Sequence, residues 1–372
     1  MDHVVVPIRP STSPISGLSE LQAHLEALTR DNTLAPDAKL LDEVELQLTG
    51  KQPITNSRQQ DNYVLTTTSP QPKTSPPPPN SPPPLANLLK TTAQDTTPLL
   101  TLAIKLISPL SLSESLTFAD GPSLLAALRS PLRGANLLAL AIVGKAASSA
   151  DEAARLADMP GLVEELLRCW LESADVGVGE SAAGVLGGVL EVDCPIVETV
   201  VNGTRNHLDT GIRHDRPPGR GRIWPLILAS QANLTRIHNS CSLNNPSRST
   251  HDITISQGRL LSLLPRLSAL DLDRLTAPSI FHDVSGRGIL QWAALSMVDR
   301  SDTLMHLSLI NFYESLVVAM LGRPHGLDDA LRGVFRHAVG NDAVLEYALR
   351  SLPDRSEGGR EELRRYVDEL LS

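Results

Sequence analysis

The chain has 372 residues, of which 41% are hydrophobic and only 3% are aromatic, and its formal net charge is −9. This length can hold one elongated repeat array or two compact domains. Apolar residues that are chiefly Leu, Ala and Val favour a helical core over a β-sheet core. The acidic balance argues against a nucleic-acid-binding surface over the whole chain, because polyphosphate binding requires local positive charge.

The amino-terminal part is predicted to contain three segments of different character. Residues 1–17 hold prolines among Ser and Thr, and we expect an extended tail there. Residues 18–50 are predicted to form a helical pair, Leu18–Arg30 and Asp37–Leu48, because leucines recur at helical spacing. Residues 51–84 are rich in Pro, Ser and Thr, which predicts a disordered or polyproline II insertion.

The proline tract has two interpretations. It resembles a ligand for an SH3- or WW-type groove. It also fits a long insertion between two repeats, because loop entropy rises only logarithmically with loop length. We favour the insertion.

Residues 85–372 read as a succession of short helices. Pro122, Pro160 and Pro195 stand at or just before helix starts, where a missing N–H is harmless. This punctuation indicates a repeat of roughly 35–45 residues, the range of armadillo and HEAT units. The predicted fold is therefore all-α, an armadillo/HEAT-like α-solenoid of stacked helical hairpins. The helices placed before the first long break are Pro98–Ile107, Ser111–Ala119, Pro122–Arg129, Ala135–Ala147, Ala150–Ala157, Gly161–Ser173, Glu180–Val192 and Pro195–Asn206.

Two loops are predicted to interrupt the array. The first, 203–222, is locally basic through Arg213, Arg216, Arg220 and Arg222. A nucleic-acid contact is one interpretation, but no aromatic residue lies among these arginines to stack on bases, so a solvated loop is favoured. The second loop, 240–250, is rich in Ser and Asn.

After the first loop, a helix is predicted over Ile223–His238. The stretch from Gln257 to Met320 then carries the strongest helical pattern. Leucines from Leu260 to Leu270 recur at three- and four-residue steps, which predicts an amphipathic helix. From Leu304 to Leu321 apolar residues occur on nearly every side, so we expect that helix to be covered on more than one side. Three further helices are expected over 326–339, 342–352 and 360–371, the last as a polar-faced cap.

Within this stretch the chain resembles a known family. The strings are Gln257-Gly-Arg-Leu-Leu with Leu264-Pro-Arg, and Met297-Val-Asp-Arg followed by Leu304-Met-His-Leu-Ser-Leu-Ile-Asn-Phe. They resemble the fungal family named for mismatch repair (HSM), which is related to proteasome non-ATPase regulatory subunit five. The resemblance is dense from about Trp224 to Val318. It implies a solenoid that acts as an assembly chaperone for the base of the proteasome regulatory particle and holds the C-terminal domain of one AAA ATPase subunit.

We therefore expect a protein partner that binds the solenoid surface. We expect neither catalysis nor a cofactor. The alternative is a mismatch-repair or nucleic-acid-associated factor that uses the arginines of 213–222, and an enzyme of unknown type is a third reading. No membrane contact is expected, and the chain is expected to be monomeric before complex assembly. The candidate partner-binding residues are polar positions in or beside inner helices: Glu172, Glu180, Asp299, Arg300, Asp302, His306 and Glu314.

Other chemistry finds little support in the sequence. Gly177-Val-Gly-Glu-Ser-Ala matches a dinucleotide fingerprint in letters, but a helical pattern precedes it where a strand is required. His306 lacks further metal ligands at helical spacing. Three scattered cysteines predict small buried side chains rather than a disulfide framework. No secretory leader pattern occurs at the start, so we expect an intracellular protein in the cytoplasm, with the nucleus left open.

Overall fold

The computed structural model describes residues 17–31, 33–50, 97–195, 218–278, 288–321, 329–356 and 359–372. Within these ranges every regular element is a helix, so the all-α prediction is confirmed. Four sequence predictions lie wholly or mostly outside the described residues: the tail before Gly17, the proline tract, nearly all of the helix expected at 195–206, and residues 203–217 of the basic loop. The chain divides into two compact units, Met1–Leu110 and Ser111–Ser372.

The first unit contains three described helices, α1 (Leu18–Arg30), α2 (Ala38–Gly50) and α3 (Thr97–Ile107). Helix α3 packs against α2, and the shared core consists of buried aliphatic side chains. The predicted bounds of α1 are reproduced, and α2 and α3 begin within a residue of prediction. The core residues are Leu21, Leu28, Leu41, Val44, Leu99 and Leu102.

The second unit is built from short helices that begin mostly at Ser or Asp caps. Ser149, Asp175 and Ser249, for example, each accept a hydrogen bond from a first-turn backbone N–H, which satisfies a donor that has no partner inside its helix. In chain order the helices are α4 (Leu112–Ser115), α5 (Gly121–Leu128), α6 (Arg133–Val143) with a 3₁₀ turn (Gly144–Ser148), α7 (Ala150–Ala157), α8 (Pro160–Glu172), α9 (Val176–Asp193), α10 (Ile223–Leu228), α11 (Gln231–Cys241), α12 (Thr250–Leu270), α13 (Leu272–Thr276), α14 (Ile289–Leu295), α15 (Thr303–Met320), α16 (Asp329–Val339), α17 (Ala343–Arg355) and α18 (Arg360–Leu371).

Several predicted boundaries are corrected. The helix expected at Ser111–Ala119 is limited to Leu112–Ser115, and the one expected at Glu180–Val192 begins at Val176. The single helix expected at 223–238 is two helices, because Ser230 breaks the chain direction and caps α11 through the N–H of Asn233. The polar loop is shorter than predicted: α11 runs on to Cys241, and Ser249 caps α12, which begins at Thr250. Helix α12 then continues through Pro265 to Leu270.

The helices fall into triplets whose equivalent members stack on one another. The first helices are α4, α7, α10 and α13, and neighbouring members of this row are in contact. The contact between α10 and α13 is made by Arg274, whose guanidinium lies 6.0 Å from the centre of the Trp224 ring. The second helices are α5, α8, α11 and α14, and this row continues into α16 and α18. The third helices are α6, α9, α12, α15 and α17. The repeats up to α15 thus add a short first helix to the predicted hairpin, whereas none is described before α16 or α18, and the arrangement is solenoid-like.

Neighbouring helices in the third row run parallel. Arg259 near the middle of α12 lies against Gly179 in the first turn of α9, and Arg266 lies against Gly187 further along both helices. Likewise His306 and Glu314 of α15 meet Asp342 and Arg355 at the start and end of α17. A row of parallel helices of successive repeats leaves one side of each helix facing solvent.

Helix α15 is covered on more than one side, as predicted, and also has one uncovered stripe. It packs against α12 on one side and α17 on the other, and Leu309, Tyr313 and Leu316 are buried. Yet Leu304, Leu307 and Val318 remain exposed. Apolar residues therefore occur on most sides of α15 because two neighbouring helices cover it and a third apolar stripe stays exposed.

Candidate partner-binding surface

The candidate surface is the solvent-exposed side of the third-helix row, here called the open face. It carries two different chemistries. On α9 and α12 the exposed residues are mostly polar or small, such as Glu180, Ser262 and Arg266, and Val176 is the one large exposed apolar side chain described there. On α15 and α17 the exposed residues include several large apolar side chains.

Two arginines connect α12 to α9 at the polar end of the open face. Nη1 of Arg259 donates to the carbonyl of Ser173 at 2.7 Å, and Nη2 donates to the carbonyl of Asp175 at 3.3 Å. Burial lowers the pKa of Arg259 from its ordinary value. Nη2 of Arg266 donates to Oε2 of Glu191 at 2.6 Å. These guanidinium groups hold neighbouring repeats together, so they are not free cations for a ligand.

Glycines in α9 make this approach possible. A Cβ at Gly187 would lie 2.6 Å from Nη1 of Arg266 and 3.2 Å from Cδ1 of Leu263, and a Cβ at Gly188 would lie 3.1 Å from Cβ of Ala147. Gly184 faces open space. A neighbouring helix therefore packs closely beside Gly187 and Gly188, whereas no described residue packs beside Gly184.

Of the predicted contact residues on the earlier repeats, Glu180 is exposed on the open face. Glu172 is placed differently, between α8 and α11 of the second row. Its Oε1 accepts hydrogen bonds from Oγ of Ser240 at 2.9 Å and from Nη1 of Arg236 at 3.4 Å. Glu172 is thus engaged within the protein.

Four of the predicted residues cluster at the start of α15. Asp302 caps the helix, and its Oδ1 accepts from the N–H groups of Leu304 and Met305. Asp299 closes the preceding turn by accepting from the N–H and Oγ of Ser301, and these two bonds hold the pKa of Asp299 below its ordinary value. Both carboxylates are exposed, while Arg300 between them is half-buried. The structure records no ion-pair partner for either carboxylate among the described residues.

His306 connects two repeats. Its Nε2 lies 2.6 Å from Oδ2 of Asp342, and because an ionised carboxylate only accepts, Nε2 carries the hydrogen. Asp342 also caps α17 by accepting from the N–H of Leu345 at 3.0 Å. Burial by itself would raise the pKa of Asp342, but the hydrogen bonds from Leu345 and His306 outweigh it and hold the pKa below 3.8. The sequence did not identify this partner, because Asp342 lies 36 residues from His306.

Glu314 is also part of a connection between repeats. Its Oε1 and Oε2 accept from Nη2 and Nη1 of Arg355 at 2.6 and 3.3 Å, a two-pronged ion pair between α15 and α17. Of the predicted residues, Glu180, Asp299 and Asp302 are therefore exposed, whereas Glu172, His306 and Glu314 are engaged in contacts between helices.

The basic loop is attached to the fold by a carboxylate that sequence reasoning missed. Asp193, fully buried at the end of α9, accepts from the N–H groups of Arg222 and Ile223 at 3.0 and 2.6 Å and so caps α10. Arg222 also donates to Oδ1 of Asp158 at 2.5 Å, and Arg220 pairs with Asp151. Two of the four arginines proposed for nucleic-acid contact are therefore paired with carboxylates of the same unit, and Arg213 and Arg216 lie outside the described residues.

The described residues give little support for a dinucleotide site or a metal site. Gly177 and Gly179 lie in the first turn of α9, directly after helix α8, so the dinucleotide match sits in a helix–helix turn with no strand before it. No group of three or more His, Cys, Asp and Glu side chains in the described part of the chain is placed to hold a metal ion.

A cavity of about 20 Å³ lies between the rows beside Trp170, Trp224 and Leu264, and its lining residues are apolar. Cys169 and Cys241 are buried as predicted, and burial raises the pKa of the Cys169 thiol to about 11.

By length and composition, α15 is apolar enough to cross a membrane, and it is the one such helix among the residues described. Core helices of folded proteins pass the same criterion. Here the helix packs between α12 and α17, and it contacts α17 through the His306 hydrogen bond and the Glu314 ion pair. Its apolar composition is accounted for by this packing and by the exposed stripe.

In comparisons with known proteins, no protein-family model matches this chain. No curated protein matches it at a significant level either.

Proposed function

We propose that the chain is a non-enzymatic assembly chaperone of the proteasome regulatory-particle base, which binds the C-terminal domain of a AAA ATPase subunit through the open face. The observation that carries the proposal is the third-helix row itself. Its parallel helices present a continuous solvent-exposed side, and this is the surface through which armadillo-like arrays bind other proteins. The two strings that resemble the HSM-type family lie on or beside α12 and α15 of this row.

The residues of those two strings make hydrogen bonds that indicate a structural role. In the first string, Nε2 of Gln257 donates to the carbonyls of Cys241 and Met297, and Arg259 binds the end of α8. In the second, Asp299 and Asp302 shape the turn into α15. The resembling residues thus include those that fix one repeat against the next.

The alternative of a mismatch-repair or nucleic-acid-associated factor has less support. Arg220 and Arg222 are paired with Asp151 and Asp158, so their charge is already offset. DNA binding that falls steeply with salt would favour this alternative over the chaperone.

A pull-down with purified C-terminal domains of the base ATPase subunits tests the proposal. We expect one domain to be retained, and we expect the double variant Glu180→Lys/Asp302→Lys to weaken retention because it reverses charge on the open face. Glu164→Lys, an equivalent change at an exposed position on the second-row helix α8, serves as the control. Retention of no ATPase domain would overturn the proposal.

A further inference from the structure

The carboxyl-terminal end of the open face carries an apolar patch with an acidic rim. The exposed fractions are 76% for Leu304, 56% for Leu307 and 54% for Val318 on α15, and 58% for Val344 and 76% for Tyr347 on α17. Single exposed apolar residues are common on protein surfaces, but a group of five on two adjoining helices is typical of a binding site.

The five side chains share one side of the two helices. Leu304, Leu307 and Val318 fall on one stripe of α15, because they are spaced by three and eleven residues. Val344 and Tyr347 are spaced by three residues on α17. Since α15 and α17 are parallel and both bury their opposite sides in the core, Leu304 and Leu307 lie beside Val344 and Tyr347 at the start of the two helices. Asn311 and Ser315 are exposed between Leu307 and Val318, so the apolar part of this strip between the helices, here called the groove, lies at its Leu304 end.

The charges beside the patch restrict what can occupy it. Asp299 and Asp302 are exposed at the end of the groove next to Leu304, and neither has an ion-pair partner among the described residues. Arg300 lies between them and is half-buried, and Glu314 and Arg355, further along the two helices, pair with each other. The net local charge at the Leu304 end is therefore negative, which favours a basic group on the occupant.

We propose that this groove is the docking site for an amphipathic helix of a partner protein, with Leu-like side chains on one side and Lys or Arg beside them. This inference rests on the proposed partner-binding function and names the part of the surface and the chemistry of the bound segment. The apolar side chains would fill the groove between α15 and α17, as helices bind grooves elsewhere, and the basic residues would lie near Asp299 and Asp302. The polar end of the open face on α9 and α12 has a single large exposed apolar side chain among its described residues, Val176, and no group of them.

The probe is a designed helical peptide of about 18 residues that places Leu on one side and Lys on the other, compared with a Leu/Glu peptide of the same pattern. Binding to the full chain is measured by fluorescence anisotropy. We expect saturable binding of the Leu/Lys peptide and at least tenfold weaker binding of the Leu/Glu peptide. The double variant Leu307→Asp/Tyr347→Asp is expected to weaken Leu/Lys binding by about tenfold or more.

Two controls separate the patch from general attraction to an acidic protein. Leu132→Asp changes a leucine that is also 56% exposed, but at the N-cap of α6, and is expected to leave binding unchanged. Asp299→Asn/Asp302→Asn keeps both turn-forming side chains, since Asn also caps helices, and is expected to weaken binding a few-fold and to reduce its salt dependence.

Equal binding of both peptides, or equal loss in Leu132→Asp and in the groove variant, would overturn the inference. Co-sedimentation of the chain with phosphatidylcholine vesicles that is lost in the groove variant would also overturn it, because the patch would then be a membrane-contact surface. If an ATPase domain is retained in the pull-down and the groove variant retains it equally well, the inference fails while the proposed function stands.

Discussion

Single polar side chains in this protein act mainly as connections between repeats. Gln257, His306 and Asp342 each join segments that are distant in sequence. Buried polar groups are costly unless they are hydrogen-bonded, so a matched pair of groups fixes one packing of neighbouring helices. Two tests follow at this scale.

Replacing Gln257 by Leu removes both hydrogen bonds of its Nε2, to the carbonyls of Cys241 and Met297. The two buried carbonyls lose their donor, and we expect the free energy of unfolding to fall by roughly 2–4 kcal/mol. Urea denaturation followed by tryptophan fluorescence measures the change. Ser262→Ala, at an exposed position of the same helix, is the control, and an effect equal to that of the control would contradict the role of Gln257.

The lowered pKa of Asp342 predicts that the protein loses stability at acid pH. Its pKa is lower in the folded protein than the ordinary 3.8, because the hydrogen bonds from Leu345 and His306 outweigh the effect of burial. The ionised form therefore stabilises the fold. That contribution is fully present above the unfolded pKa and is lost as the pH falls through the folded pKa.

The measurement is the melting temperature of the wild type and of Asp342→Asn between pH 6 and pH 3. Asn keeps an acceptor for the N–H of Leu345 but does not titrate. We expect the wild type to lose more stability than the variant as the pH falls below about 4. Parallel curves for the two proteins would show that Asp342 does not carry the dependence.

At the scale of elements, the contact between α9 and α12 shows why a glycine-rich helix is retained in the array. Gly179 and Gly187 allow the guanidinium groups of Arg259 and Arg266 to cross the surface of α9. The helix-breaking tendency of glycine is thus offset by a close inter-repeat contact. The glycines of α9 can be read from the sequence, but the neighbour that they contact cannot, because Arg259 lies 80 positions after Gly179.

A matched pair of substitutions tests this contact. Gly184→Ala adds a methyl group in open space, so we expect a gain of about 0.5–1 kcal/mol from helix propensity. Gly179→Ala would place the methyl group against the Arg259 guanidinium, which is held by two backbone carbonyls, so we expect a loss of about 1–3 kcal/mol. Thermal unfolding of both variants measures the difference, and a gain in both would show that Arg259 moves aside without cost.

At the scale of the whole molecule, the second unit depends on its last helix to close the array. Leu363, Val367 and Leu370 of α18 are buried against α16 and α17, while the remaining side of α18 is charged. Solenoid repeats cannot bury their apolar side alone and need a polar-faced terminal helix. The helix predicted over 360–371 is confirmed, with one side buried and the other charged, as a cap requires.

Deleting residues 359–372 exposes the apolar surface that α18 covers. We expect the truncated chain to self-associate and to melt at a lower temperature, as measured by light scattering after size-exclusion chromatography and by thermal unfolding. A second variant, Leu363→Asp/Val367→Asp in the full-length chain, should show the same self-association and the same fall in melting temperature without loss of length. Arg365→Asp, at an exposed position of α18, is the control. A monomeric truncated chain of unchanged stability would contradict the cap.

The sequence by itself determined the helical class, most helix positions and the terminal cap, because these depend on local periodicity, capping residues and proline placement. Only the tertiary structure decided which polar residues are free. Glu172, His306 and Glu314 looked like surface contacts but pair with Ser240, Asp342 and Arg355, residues at least 36 positions away. The exposed stripe of α15 was hidden for the same reason: a local pattern shows how apolar a helix is, but the sides that stay uncovered are set by which distant helices pack against it.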